Sequence, residues 1–255
     1  MAQEITVNRI GRAFHIRLDR ADKRNAVTRS MYEAMTEAIA IAETDPAIRA
    51  VLFSGAGGAF CAGNDLNDFV GDPPTGMESP AFRFLRAVST AQKVLVAAVH
   101  GAAVGIGTTM LLHCDLVVAA RSAKLSLPFV ALGLVPEAAS TLLLPRAVGH
   151  LRATELLLLG EPIDAETALR WGLVNRIVDD ERLIDAVMEL VTRVASLPPS
   201  AVRLTKQLLK DDRGGVAVRI EQEADIFVER LKAPEFQEAA SAFLEKRPPD
   251  FSRFN

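Results

Sequence analysis

The sequence predicts an α/β fold, with a β/α core over residues 1–195 and an all-helical region over 196–255. Two observations carry this. First, a short apolar β run feeds a Gly/Ala-rich loop and then a helical pattern, and the arrangement recurs about forty residues later. Residues 50–53 lead into SGAGGAFCAGNDLNDF, and residues 94–99 lead into HGAAVGIG. Second, from Asp180 onward the strands give way to amphipathic helical patterns, punctuated by Pro198-Pro199 and Gly214-Gly215. At 255 residues, 49% hydrophobic and 24% charged, the chain has an ordinary globular composition and is long enough to bury a sizeable core.

In chain order, Ile5 and Val7 alternate with polar residues, Gly11-Arg12 turns the chain, and Phe14, Ile16 and Leu18 alternate again, which reads as a hairpin. Thr28 then caps a helix whose apolar face is Met31, Met35, Ala38, Ile39 and Ala42, and Asp45-Pro46 ends it. Residues 68–80 (DFVGDPPTGMESP) read as a turn-rich, mobile loop. After the two loop units come strands at 116–119 and 125–127, helices at 138–147, 150–159 and 165–171, and a strand at 174–178. Helices at 180–197, 199–210, 216–232 and 234–246 complete the chain.

Several functional classes are excluded or disfavoured. A net charge of -3 argues against a broad basic surface, and one Trp with one Tyr argues against base stacking, so no nucleic-acid partner is expected. Two unpaired cysteines, Cys61 and Cys114, fit a reducing compartment. The histidines His15, His100, His113 and His150 are scattered and no Cys-x-x-Cys occurs, so no metal site is expected. The N-terminus lacks a signal-peptide pattern and no apolar run is long enough to span a bilayer, so a cytoplasmic protein with no membrane partner is expected. The chain contains no G-x-G-x-x-G, P-loop or G-x-S-x-G pattern.

What remains is a pair of strand-to-helix loops, CAGNDL (61–66) and GAAVGIG (101–107), and one acid. Small residues let the chain turn sharply and let backbone N–H groups at a helix start face an anion. Two such loops side by side supply two donors to one developing oxyanion. Close packing of strand against helix accounts for the same small residues equally well. Glu137 is the only carboxylate between Leu116 and Thr154. Partial desolvation there would raise its pKa into the range of a general base. The same acid also fits the first turn of a helix begun by Pro136, where it would complement the helix dipole.

These segments resemble the crotonase, or enoyl-CoA hydratase/isomerase, superfamily over nearly the whole chain. The resemblance is carried in order by the hairpin, KRNAV, CAGNDL, HGAAVGIG, CDLVVAA, GLVPE, ERLIDAV and AFLEKR. It implies a β-β-α superhelical core, a C-terminal helical region (196–255) that forms trimers or hexamers, and an acyl-CoA thioester substrate with no separate cofactor. It further implies that the backbone N–H groups of Asn64 and Ile106 hold the thioester oxygen. Arg24, Ala26, Ala62, Gly63, Asn64, Asp65, Leu66 and Lys246 are then expected to bind CoA, Lys246 from a neighbouring subunit. The two glutamates of a typical hydratase in this family fall at Thr109 and Phe129 here, so both are missing. A single acid at Glu137 is instead similar to the peroxisomal-type Δ3,Δ2-enoyl-CoA isomerases. Ring-acyl-CoA isomerases of aromatic catabolism, with aspartate at the equivalent place, are also similar. On these grounds an isomerase with Glu137 as sole base is expected, with hydration or an RNA-binding or scaffolding role as the alternatives.

Overall fold

The computed structural model describes residues 4–211 and 213–254. The hairpin forms as expected. Strands β1 (Ile5–Ile10) and β2 (Ala13–Leu18) pair antiparallel around Gly11, whose φ of 60° suits glycine. Helix α1 (Arg29–Thr44) starts where Thr28 accepts a hydrogen bond from the Met31 N–H, and it buries the expected face together with Tyr32.

The recurring unit is fuller than the sequence pattern suggests. Strand β3 (Ala50–Gly55) is followed by a short second strand, β4 (Ala59–Cys61). Strand β5 (Val94–Val99) is followed in the same way by β6 (Ala102–Val104), and β7 (Leu116–Ala120) by β8 (Lys124–Ser126). The longer strands join a six-stranded sheet in the order β1-β2-β3-β5-β7-β10, where β10 is Arg176–Val178. The short ones, with β9 (Ile163–Asp164), make a second sheet in the order β4-β6-β8-β9. Each turn of the chain therefore gives one strand to each sheet before entering a helix: a β-β-α superhelix. The central strands β3 and β5 are buried on both faces, which explains their unbroken apolar runs.

Because β4, β6 and β8 lie side by side and parallel, the segments that leave their C-terminal ends emerge at one edge of the small sheet. These segments are 62–66, 105–106 and 127–132. Their convergence builds the site.

Four expectations change. The stretch 68–80 is not one loop, because α2 (Leu66–Gly71) occupies its start, capped by the Asp65 side chain. Helix α3 (Pro80–Thr90) follows directly, a helix for which the sequence reading makes no provision. It buries Phe82, Phe84, Leu85 and Val88. Pro80 opens it at the first helical position rather than ending a loop. After the short α4 (Ile106–Thr109), α5 (Ser140–Val148) begins two residues later than expected, since Ala138 and Ala139 are both left-handed, at φ 64° and 55°. Helices α6 (His150–Leu159), α7 (Ala165–Arg170), α8 (Leu183–Ala195) and α9 (Pro199–Leu209) match the pattern closely. Finally, α10 (Arg213–Leu231) starts before Gly214-Gly215, so that pair sits inside its first turn instead of ending a segment. Phe227 of α10 packs edge-on against Phe69 and Phe82, and Phe236 of α11 (Pro234–Glu245) is buried in the main core. No helix among the described residues is long and apolar enough to cross a membrane.

Candidate active site

A cavity of about 560 Å³ opens at the edge of the small sheet. Residues following β4 (Ala62 to Asn67), β6 (Gly105, Ile106) and β8 (Pro128, Phe129) form its floor and walls, with Val104 of β6 beside them. Lys23, Arg24 and Ala26 line it from the KRNAV segment. Leu134, Phe227 of α10 and Phe243 of α11 give it an apolar side. It therefore has a cationic rim and a largely apolar interior.

The two backbone N–H groups of interest are left open by the surrounding bonds. Val27 and Asn64 form an isolated parallel bridge, in which Val27 donates to the Gly63 carbonyl and accepts from the Asp65 N–H. That pattern uses the residues on either side of Asn64 and turns the Asn64 N–H away from Val27. Ile106 is the first residue of α4, so its N–H has no intrahelical acceptor. Nearby, the Gly105 N–H donates to the Ser126 carbonyl, and the Thr108 and Thr109 N–H groups donate to the Gly105 carbonyl. Two glycines make this approach possible. Gly63 adopts φ 94°, and a Cβ on Gly107 would lie 2.8 Å from both the Cβ and the carbonyl oxygen of Cys61.

The first loop is pinned by groups that the sequence reading did not single out. Asn25, fully buried at φ 59°, donates through Nδ2 to the carbonyls of Ala56 and Ala59 and accepts from the Arg20 N–H. The Arg20 guanidinium donates to the Ala26 carbonyl and pairs with Asp65 at 2.6 Å and with Glu4 at 2.9 Å. Asp65 lines the cavity, yet its carboxylate is committed to Arg20 and to the α2 N–H groups. Burial opposes its ionisation, but these bonds hold its pKa below the ordinary value. Tyr32 donates to Asn64 Oδ1 at 2.5 Å. The contacts of Arg20, Asn25 and Tyr32 reach 31 to 45 residues along the chain, so no local pattern in the sequence marks them.

Glu137 is buried, only 6% exposed, and the helix-dipole account of it fails because α5 starts three residues later. The Thr109 hydroxyl donates to Glu137 Oε1. Burial raises the Glu137 pKa from 4.5 to about 8, opposed by the Thr109 hydrogen bond and reinforced by the charge of Glu223. Tyr32 and Cys61 are close enough for the Glu137 charge to raise their own pKa values, although burial is the larger cause for each. Tyr32, which bonds Asn64 on the cavity wall, thus also lies within electrostatic reach of the acid. Just after Glu137, the His113 imidazole is hydrogen-bonded through Nε2 to the Ala138 carbonyl at 2.8 Å. Burial lowers the His113 pKa to about 4, so it is neutral and Nε2 is the donor.

The structure thus brings Arg24, Ala26, Ala62, Gly63, Asn64, Asp65, Leu66 and Ile106 to one cavity; Glu137 is buried and is not among the residues that line it. Lys246 is exposed at the C-cap of α11 and is not part of the lining. Phe129 faces the cavity and Thr109 binds Glu137, so neither of those positions offers a second acid. Among the described residues no cluster of three or more His, Cys, Asp or Glu could hold a metal ion.

Residues 11–253 match the family model described as enoyl-CoA hydratase/isomerase. The chain belongs to the enoyl-CoA hydratase/isomerase family. It is 37% identical over 243 residues to the 1,2-epoxyphenylacetyl-CoA isomerase of Escherichia coli strain K12, covering 92% of this chain and 93% of that protein. It is 31% identical to the 2,3-dehydroadipyl-CoA hydratase of the same strain, over 97% of this chain and 98% of that one. Among solved structures, the enoyl-CoA hydratase/isomerase of Pseudoalteromonas atlantica T6c aligns with a TM-score of 0.93 at 41% identity, over 98% of this chain and 100% of that one. Pseudomonas aeruginosa OdaA aligns with a TM-score of 0.93 at 45% identity, over 95% and 99%. The fold is that of the crotonases, and enzymes of this family act on CoA thioesters.

Proposed function

We propose that this family member shifts a carbon–carbon double bond of an enoyl-CoA thioester from Δ3 to Δ2, with Glu137 as its one catalytic acid–base group. Glu137 removes a proton from C2, the electron pair moves toward the thioester oxygen as a dienolate, and the protonated Glu137 returns the proton at C4. The Asn64 and Ile106 N–H groups hold the oxygen; one such donor is worth about 10²–10³ in rate. CoA lies along Arg24, Ala26 and the 62–66 loop, with Lys23 and Arg24 near its phosphates. Lys246 serves the CoA site of another copy. The helices after residue 195, with exposed Leu208, Leu209 and Leu244, make the trimer or hexamer contacts. A reducing, cytoplasmic setting suits the two free cysteines.

The observation that carries this reading is the bond from the Thr109 hydroxyl to Glu137; by the resemblance, position 109 is where a hydratase of this family would carry its first glutamate. With Phe129 at the other position, the site lacks the pair that activates water and protonates carbon. The test is Glu137→Gln assayed on a 3-enoyl-CoA. The expected outcome is a loss of at least about 10²-fold in kcat, the lower end of general acid–base help. Activity within a few-fold of wild type would overturn the assignment.

A second reading has its own support: one relative is a ring-acyl-CoA isomerase by name, 1,2-epoxyphenylacetyl-CoA isomerase. Hydratases are also among the relatives, such as 2,3-dehydroadipyl-CoA hydratase. A panel of linear and ring acyl-CoAs, scored separately for double-bond shift, ring isomerisation and hydration, separates the three.

A further inference from the structure

A second carboxylate acts on Glu137 through its charge, and it comes from the C-terminal helices rather than from the β/α core. Glu223 of α10 is only 4% exposed. Its Oε1 accepts two hydrogen bonds from one residue, the Thr141 N–H at 3.0 Å and the Thr141 hydroxyl at 2.5 Å. The Ala139 N–H, close by, also favours the ionised form of this carboxylate. Arg219, one turn earlier on α10, donates to the Thr141 hydroxyl at 3.0 Å. Glu223 Oε2 is buried with no partner among the described residues. The bonds close on a short, strained segment. Ala138 and Ala139 are both left-handed, a conformation costing of order 1 kcal/mol or more for each non-glycine residue, and they directly follow Glu137. Such a turn persists only when its surroundings hold it. His113 holds it at the Ala138 carbonyl and Glu223 at Thr141.

We propose that Glu223 is a positioning residue for Glu137: from α10 it fastens the 138–141 turn that aims the base, and it keeps a second negative charge within electrostatic reach of it. This rests on the reading of Glu137 as the base. The groups that interact with Glu137 are Thr109 from α4, Tyr32 from α1, Cys61 from β4 and Glu223 from α10, while His113 after α4 and Arg219 of α10 bind the turn that follows it. Burial keeps Tyr32 and Cys61 protonated and His113 neutral through the neutral range. Thr109 carries no charge. Glu223 and Arg219 are therefore the members of that set able to carry charge there. Burial raises the Glu223 pKa, while Thr141, Ala139 and Arg219 favour its ionised form. An ionised Glu223 makes the Glu137 carboxylate harder to form, so activity should require higher pH than Glu137 alone would.

The test uses Glu223→Gln, which keeps an acceptor for Thr141 but removes the charge, and Glu223→Ala, which removes both. In Glu223→Gln the acid limb of kcat/KM against pH should move to lower pH. In Glu223→Ala, kcat should fall about 10²-fold with KM little changed, the scale expected when a reacting group is misplaced by about 1 Å. A limb that superimposes on wild type in Glu223→Gln overturns the proposal. A substrate-independent arm separates this from failure of the proposed reaction. The denaturation midpoints of Glu137→Gln, Glu223→Gln and the double variant should be non-additive at pH 8 and closer to additive at pH 5. Additive midpoints at both pH values overturn the pairing whatever the substrate proves to be.

Discussion

Replacing Glu137 with Gln should stabilise the fold, and increasingly so as pH rises. In the native state the group titrates at about 8 against an ordinary value of 4.5, with burial the main cause. Below about pH 4.5 both the native and the unfolded chain hold the proton, and the group costs nothing. Between 4.5 and 8 the unfolded chain releases the proton while the native chain keeps it, so native stability falls by up to about 1.4 kcal/mol per pH unit. Above 8 both states are ionised and the loss levels off. Integrated over this window, the cost is roughly 1.4 kcal/mol at pH 5.5 and roughly 4 kcal/mol at pH 8. A glutamine of the same shape accepts the Thr109 hydroxyl bond and carries no titration. Any constant cost of burying its amide cancels between the two pH values. The measurement is urea denaturation of wild type and variant at pH 5.5 and pH 8, checked by scanning calorimetry. The stability gap should move in favour of the variant by about 3 kcal/mol, which for a chain of this size is a Tm shift on the order of 6–12 °C. A gap that stays constant to within about 0.5 kcal/mol would refute the burial of an ionisable Glu137, and with it the physical basis for a base poised near neutrality.

Two further outcomes follow from the packing of the site. Gly107→Ala places a Cβ within 2.8 Å of Cys61 and forces β4 and α4 apart; kcat/KM should fall about 10²-fold through displacement of the Ile106 N–H, with about 1–3 kcal/mol of destabilisation seen by thermal melting. Lys23→Ala and Arg24→Ala should each raise KM for the acyl-CoA about tenfold or more while leaving kcat near wild type, because charge-assisted phosphate contacts are worth about 1.5–3 kcal/mol in both ground and transition state; steady-state kinetics at low and high salt measures both the change and its screening.

The parts of this fold that were legible in the sequence are those whose pattern is local. The α1 face could be read because Met31, Met35, Ala38, Ile39 and Ala42 recur at helical spacing behind a Thr cap. The α3 helix was hidden for the opposite reason. Phe82 and Phe84 are two apart, which imitates strand alternation, and Pro80 looks like the end of the preceding loop. The second sheet was equally hard to see, since three-residue strands such as Ala59–Cys61 and Ala102–Val104 carry too few residues for any period to register. At the site, the glycines of the two loops and the isolation of Glu137 were visible as composition. Arg20, Asn25 and Tyr32, which hold the first loop in place, make contacts up to 45 residues away, and no local pattern encodes them. Glu223 lies 82 residues beyond the Thr141 it binds, and only the packing of α10 brings them together.

That distance bears on what the C-terminal helices do. A helical region whose role was only to cover a neighbouring subunit would place its buried acids at the outer surface. Here one buried acid, Glu238, does sit at the outer end, held ionised by Arg247 and Arg253 with its pKa lowered to about 2. The other, Glu223, bonds Thr141 with one oxygen, while its second oxygen has no hydrogen-bond partner among the described residues and the Arg219 charge only partly offsets its burial. A buried carboxylate with an incompletely paired oxygen is costly to stability. Replacing it with a well-packed apolar residue would be the more stable choice if stability alone were at issue. Its retention is accounted for when the turn carrying Glu137 needs an acceptor strong enough to hold two consecutive left-handed alanines, and when the base benefits from a neighbouring charge. On this argument α10 belongs to the site as much as the two glycine loops do.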